Sequence, residues 1–145
     1  VSGDPFLEVK SVQAGMDKGI VGDGRFYGRK DRSGGPSRRQ VSLIAREQIA
    51  AHAATLGLGG IAPGAVRANI ETTGIELMKC LGTNVKVGGA LLHFYQPRTP
   101  CPKMDAVAEG LQRLMSQGRQ GVMAMVIASG EIKVGDPILV TANEK

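Results

Sequence analysis

Gln96-Pro97-Arg98-Thr99-Pro100-Cys101-Pro102-Lys103-Met104-Asp105 is the stretch on which the reading of this chain turns. A cysteine stands between two prolines, with an arginine before it and a lysine after it. The residues ahead of it read as a β-strand. Beyond it, Met104, Val107, Ala108, Leu111, Leu114 and Met115 recur at helical spacing. Cys101 therefore falls at a strand-to-helix junction. Proline suits the first helical position, where its missing N–H would have no partner, so Pro102 makes Cys101 the helix N-cap. A thiol there faces unpaired backbone donors and the positive end of the peptide dipoles. Both favour thiolate over thiol, and Arg98 and Lys103 add positive charge. In such surroundings a thiol falls by about a unit or more below its free value near ~8.5. The expectation is a nucleophilic or ligand-forming thiolate at Cys101. The competing reading is an inert buried cysteine, since free cysteine is among the most buried residue types. The proline fence favours the reactive one.

Upstream, Asn84-Val85-Lys86-Val87-Gly88-Gly89-Ala90-Leu91-Leu92 reads strand, tight turn, strand. Glu131-Ile132-Lys133-Val134-Gly135-Asp136-Pro137-Ile138-Leu139 echoes it, suggesting two similar β corners in one barrel. His93 lies on the strand leading to Cys101. It either faces the thiol's pocket or is a half-buried strand histidine, the commoner case. Gly121 to Ile127 is apolar throughout and is expected to be the most buried strand.

In the first half, Phe6 to Val12 reads as the first strand and Gln13 to Lys18 as a loop. Gly19 to Gly24 reads as a short strand ending in a glycine-bounded turn. Arg25, Arg29, Lys30, Arg32, Arg38 and Arg39 then face a single acid, Asp31, around the flexible run Ser33-Gly34-Gly35-Pro36-Ser37. This is expected to be a surface loop. It serves either as an anion-catching flap, with arginine forks for phosphate or carboxylate, or as a merely solvated basic segment. Gln40 to Ile44 reads as a strand. Ala45 to Leu56 reads as a helix with an Ile49, Ala53, Leu56 stripe, ended by Gly57. His52 beside that stripe is taken as a packing or surface residue. After a turn at Ile61 to Gly64, Ala65 to Ile70 alternates as a strand whose polar face carries Arg67 and Asn69. Thr72 to Leu77 reads as a turn and short step. Cys80 has only Lys79 to prepare a thiolate and is read as structural.

Composition bounds the rest. The 145 residues suit a single domain, 1–145, with a real core, and 42% are hydrophobic. No apolar run approaches the ~20 residues of a membrane span. The start, Val1-Ser2-Gly3-Asp4-Pro5, lacks the basic head and apolar body of a signal peptide. Two distant cysteines make no disulfide framework, so a reducing cytoplasm is the expected home. Aromatics at 3% argue against a base-stacking nucleic-acid surface, while 21 glycines suit tight turns between short barrel strands. The net charge of +5 favours an anionic partner. Cys80, Cys101, His52 and His93 lack the close pair spacing of a zinc site. No G-x-S-x-G, P-loop or G-x-G-x-x-G occurs. What is left is one activated cysteine, a basic loop, and Arg67 with Asn69. That set suits an anionic ligand held by arginines with a sulfur atom aimed at it.

Several runs resemble one family. They are Gly22-Asp23 before the basic loop, Arg39-Gln40-Val41-Ser42-Leu43 before a helix, and Pro63-Gly64-Ala65-Val66-Arg67-Ala68-Asn69-Ile70 with Thr72-Thr73-Gly74-Ile75-Glu76-Leu77. With Pro97-Arg98-Thr99-Pro100-Cys101, Gly121-Val122 and the Gly130 to Leu139 corner, they are similar to the MOSC domain, the module at the C-terminus of molybdenum-cofactor sulfurases and in small standalone proteins. The resemblance implies a mainly β barrel with a few short helices. It implies that Cys101 is the signature cysteine, carrying persulfide sulfur or ligating molybdenum. Arg67 and Asn69 would line the pocket for the pterin phosphate, with Arg98 near the thiol. From the basic loop, Arg25 and Arg39 are read as further cofactor-binding residues. Where many relatives carry glutamate in an R-E-N-I run, this chain has Ala68. No fused aminotransferase-like, ferredoxin or helical part is expected. The sulfur or electron donor is therefore expected to be a separate protein, and pyridoxal phosphate is not expected to act directly. Two functions follow. In one, Cys101 handles sulfur or ligates molybdenum, as in a reductase component for N-hydroxylated compounds. In the other, the chain is a non-catalytic module gripping a phosphate-bearing ligand or RNA backbone, with steep salt dependence and Cys101 incidental.

Overall fold

Short alternating strands, broken by glycine turns, wrap two curled sheets around one core. The computed structural model describes residues 10–23, 27–57, 68–98 and 121–140. Among these the order is β1 (Ser11–Gly15), β2 (Gly19–Ile20), β3 (Val41–Ala45), α1 (Arg46–Thr55), β4 (Ile70–Thr72), a 3-10 turn at Leu77–Cys80, β5 (Asn84–Val87), β6 (Ala90–Pro97), β7 (Val122–Ala128), β8 (Gly130–Lys133) and β9 (Ile138–Val140). One sheet runs β4-β3-β7-β6-β5-β9 and the other β2-β1-β8. β3 and β4 are parallel, with α1 between them in the chain. β8 follows β7 after Ser129 alone yet pairs with β1, so the chain carries the wall from one sheet to the other there. Leu43, Leu92, Phe94, Val122 and Val126 of the large sheet meet Ala14, Ile20 and Ile132 of the small one in the core. This is the expected mainly β, barrel-like fold. No helix among the described residues is long and apolar enough to cross a membrane.

Several boundaries differ from the sequence reading. The strand expected to end at Val12 continues to Gly15, with Gln13 opposite Glu131 and Ala14 opposite Gly130. Gln13 points to solvent and Ala14 to the core, so the period of two persists through a polar residue that resembled a loop. The turn falls instead at Met16 to Lys18, where Asp17 takes a left-handed φ of 60°, a conformation aspartate tolerates. The strand expected over Ala65 to Ile70 begins only at Ile70, and Asn69 precedes it. The part of that reading before Ala68 lies outside the described residues. So do Phe6 to Val9, the turn at Ile61 to Gly64, and the helix after Cys101.

The most buried strand is β3, not β7. All five β3 residues are buried, whereas Ile127 and Ala128 at the end of β7 are exposed. Both strands are apolar. Both have neighbours on both edges, but β3 also has α1 packed on the face away from the main core. α1 was expected and forms. Its buried Ile49 and Ala53 lie on the far side of β3 from the main core, with Ile44. Burying one such isoleucine stabilises by about 2 kcal/mol. His52 is buried there too, as a packing residue. Gly57, at φ 74°, ends the helix as expected.

The two echoing corners do not form two hairpins. β5 and β6 are one, but β8 and β9 belong to different sheets. The corners instead pack on each other. Gly88 N–H donates to the Pro137 carbonyl at 3.1 Å and Gly89 N–H to the Glu131 carbonyl at 2.8 Å.

Candidate functional site

Three of the runs that carry the resemblance converge on one side chain. The Asn69 amide oxygen accepts from Ser42 N–H at 2.9 Å and from the Ser42 hydroxyl at 3.1 Å. Asn69 N–H donates back to Ser42 Oγ at 3.0 Å. On its other side, Asn69 Nδ2 donates to Asp23 Oδ2 at 3.0 Å. The Ser42 N–H fixes which amide atom is the oxygen. Asn69 thus ties the Gly22-Asp23 turn, the middle of β3 and the start of β4 into one brace. Both lone pairs of its carbonyl oxygen are committed to Ser42, so the side chain shapes the site by holding three segments in place. Removing it as Asn69→Ala leaves Ser42 N–H without that acceptor and Asp23 without that donor. A cost of about 2–4 kcal/mol follows, read as a melting temperature lower by roughly 6–15 °C. An unchanged melting temperature would show that the brace carries no weight.

From Tyr27 onward the basic loop is held by hydrogen bonds at both ends and within. Tyr27 N–H donates to Asp23 O and Gly28 N–H to Lys18 O. Arg29 and Ser37, then Asp31 and Gly35, face each other as in a hairpin, with Lys30 bridged to Pro36. At the tip Asp31 accepts from Ser33 N–H, the Ser33 hydroxyl and Gly35 N–H. These bonds, led by the Ser33 hydroxyl, hold its carboxyl below the ordinary range. The Ser33-Gly34-Gly35 run forms a tight turn on the surface. At the far end, buried Gln40 donates to Ser37 O at 2.7 Å and accepts from Val126 N–H at 2.7 Å, clamping the loop to β7.

That clamp lays the Arg38-Arg39 pair across the sheet. The Arg38 guanidinium sits 4.3 Å from the centre of the Tyr95 ring. The β6–β7 ladder slips between Phe94 and Gln96, so Tyr95 is the extra residue of a β-bulge, a device that re-aims a side chain. Burial pushes the Tyr95 phenol up, opposed by the charges of Arg38 and Arg39. Its hydroxyl is buried with no hydrogen-bond partner among the described residues, as is that of Thr72 on β4. Tyr95 does not stand out in the sequence as a binding residue, and Arg38 does so only as one of the arginines of the basic loop. The available signal was a tyrosine in a chain with only two, three residues before Arg98.

Arg98 follows β6 directly and is buried, at 8% exposure. Its N–H donates to the Gly121 carbonyl at 2.9 Å. Gly121 in turn presses on the Leu43 carbonyl and the Ile44 backbone, at φ 95°. The strand that leads toward Cys101 is thus held against β7, and β7 against β3. Of the other expected site residues, Arg39 lies on the loop beside Tyr95, while Cys101, Arg67 and Arg25 lie outside the described residues. His93 is half-buried, with Nδ1 2.8 Å from Asn84 Oδ1. Cys80 is buried, its sulfur 3.7 Å from the Glu76 carbonyl, and burial pushes its thiol up. Among the described residues no three His, Cys, Asp or Glu side chains converge as a metal site.

A mainly β, open barrel in which these runs meet around β3 is the architecture of one family. The chain belongs to the MOSC domain family, whose model matches residues 29–139. Among solved structures it is similar to the YuaD protein from Bacillus subtilis, with a TM-score of 0.74 and 21% identity over 95% of this chain and 88% of that one. It is also similar to YiiM from Escherichia coli, with a TM-score of 0.72 and 23% identity over 96% of this chain. YiiM from Geobacillus stearothermophilus gives 0.65 and 23% over 96%. The chain spans 66% and 61% of the two YiiM chains. At these identities the likeness speaks to the fold alone. No curated protein sequence matches the chain. MOSC domains are associated with the molybdenum cofactor and with sulfur handling.

Proposed function

We propose that the chain is a sulfur-handling or molybdenum-cofactor-binding domain in which Cys101 is the reacting thiolate or the metal ligand. The carrying observation is the buried Arg98, fixed by Gly121 at the end of β6, three residues before Cys101. Three residues of chain reach at most about 11 Å between Cα atoms, which supports placing Cys101 on the Arg98 side of the site. Arg67 and Arg25 are each two residues from a member of the Asn69 brace, and with Arg39 they would supply further positive charge.

These residues fit a phosphate-bearing organic cofactor. Guanidinium groups suit its anionic end. When bound, the cofactor would supply a molybdenum centre, and soft thiolate suits such a centre. In the transfer version, the Cys101 thiolate attacks the outer sulfur of a donor protein's persulfide. The new S–S bond forms at Cys101 and the donor's thiolate leaves. The donor is a separate protein.

The test is mass spectrometry with metal analysis on protein purified from a host that makes molybdopterin. One added sulfur on Cys101 supports transfer, and bound molybdenum supports ligation. Protein with neither, even after incubation with a persulfide donor, would overturn the proposal.

A further inference from the structure

The net charge of the chain is not spread over it. Residues 27–39 hold five cations, Arg29, Lys30, Arg32, Arg38 and Arg39, against one acid, Asp31, so four of the five net positive charges lie there. Arg38 is at the foot of the hairpin, over Tyr95. Lys30 and Arg32 lie toward the tip, exposed, and neither makes an ion pair among the described residues. Arg32 stands in the turn that Gly34 N–H closes on the Asp31 carbonyl at 3.1 Å. The one acid that could offset them is turned inward: the Asp31 carboxylate accepts from Ser33 and Gly35 inside that turn. Ser37 N–H donates to Arg29 O at 2.9 Å and Asp31 N–H to Gly35 O at 2.8 Å. These bonds hold both cations in place before a partner arrives, which spares it the cost of ordering the loop.

Such a tip suits carboxylates on a protein surface. Nucleic acid would want rings on which bases stack, and residues 28–39 hold none. A membrane would want apolar side chains to insert, and Ser33-Gly34-Gly35 offers none. The foot of the hairpin stands on β6, the strand that leads to Arg98 and Cys101. We propose that Lys30 and Arg32 form the docking surface for an acidic patch on the separate protein that donates to Cys101. The partner's identity as a donor rests on the function proposed above; the charge of its surface does not.

The test uses the whole chain and two synthetic peptides that end in a cysteine persulfide, one rich in glutamate and one with serine in place of each glutamate. The Cys101 thiolate takes the outer sulfur and the peptide thiolate leaves, and mass spectrometry follows the sulfur on Cys101. At low salt the acidic peptide is expected to transfer about tenfold faster than the serine peptide, and the advantage to vanish by ~0.5 M salt. Lys30→Gln with Arg32→Gln should remove most of that advantage and leave the serine peptide's rate unchanged. Lys86→Gln with Lys133→Gln removes the same charge from exposed positions on β5 and β8 and should keep it. Docking is read apart from chemistry by the anisotropy of a labelled acidic peptide with serine for its cysteine. That peptide should bind Cys101→Ser as it binds wild type, and bind Lys30→Gln with Arg32→Gln about tenfold more weakly. Docking without transfer would sink the sulfur reading and leave this surface standing. The surface is overturned if the acidic peptide has no advantage in binding or transfer, or if Lys86→Gln with Lys133→Gln removes as much of it. It is overturned equally if single-stranded RNA or phosphatidylglycerol vesicles, and not the acidic peptide, are what Lys30→Gln with Arg32→Gln ceases to bind.

Discussion

Cys101→Ser is expected to leave the barrel folded and to remove all sulfur or molybdenum that the wild-type protein retains. The argument is chemical. A serine hydroxyl is not ionised at neutral pH, is a poor nucleophile without a base, and is a hard oxygen ligand where a soft sulfur is wanted. The matched change at the other cysteine should behave oppositely. Cys80 is buried against the core, and its thiol is pushed up by burial. Cys80→Ser places a hydroxyl in an apolar site at a cost of about 1–3 kcal/mol, yet the protein should keep its sulfur or metal. Adduct mass and metal content, measured on both variants with circular dichroism, separate the two roles. If Cys101→Ser retained as much sulfur or molybdenum as wild type, the proposed role of that residue would be wrong.

The second large effect concerns a residue with no chemistry of its own. Gly121→Ala would put a Cβ into the Leu43 carbonyl and the Ile44 backbone, at a φ of 95° that L-residues rarely adopt. The obstacle is main chain in a central strand, so it cannot turn aside as a side chain tip would. Backbone strain alone costs about 1–3 kcal/mol. Prising β7 from β3 adds lost packing, for about 3–5 kcal/mol in all. Because Arg98 N–H bonds to the Gly121 carbonyl, the same change shifts the end of β6. Gly121→Ala should therefore lower the denaturant midpoint and, in protein that still folds, weaken anion binding. Gly135→Ala is the comparison. It has a similar φ of 91° but open space around the Cβ, and should show the strain cost alone. Equal losses in the two variants would place the effect in the backbone angle and not in the strand contact.

How much of this could be read from the residues depends on the kind of signal. The β3–α1 unit was legible because its periodicity changes cleanly from strand to helix and Gly57 closes it. The β5–β6 hairpin was legible because Gly88-Gly89 interrupts an apolar run. Burial order was not, since β7 is the more apolar of the two strands and β3 is buried by what covers its faces. Asn69 was picked out as a site residue, but its partners are 27 and 46 residues away in sequence. Such reciprocal bonding has no local pattern. The Arg38–Tyr95 contact was hidden for the same reason. A flexible-looking Ser33-Gly34-Gly35 run concealed the hairpin that delivers the arginine, and a one-residue bulge has no mark in strand composition. The echo of the two corners was real as sequence but misleading as topology, because β8 leaves for the small sheet.

The most direct test of the central claim is the pH dependence of alkylation by iodoacetamide in the folded protein, with each cysteine followed by peptide mass. The rate at Cys101 should titrate with a midpoint at least about one unit below the free thiol value near ~8.5, while Cys80 stays unmodified until the protein unfolds. A Cys101 midpoint at or above ~8.5, or modification of Cys101 only on unfolding, would contradict the account.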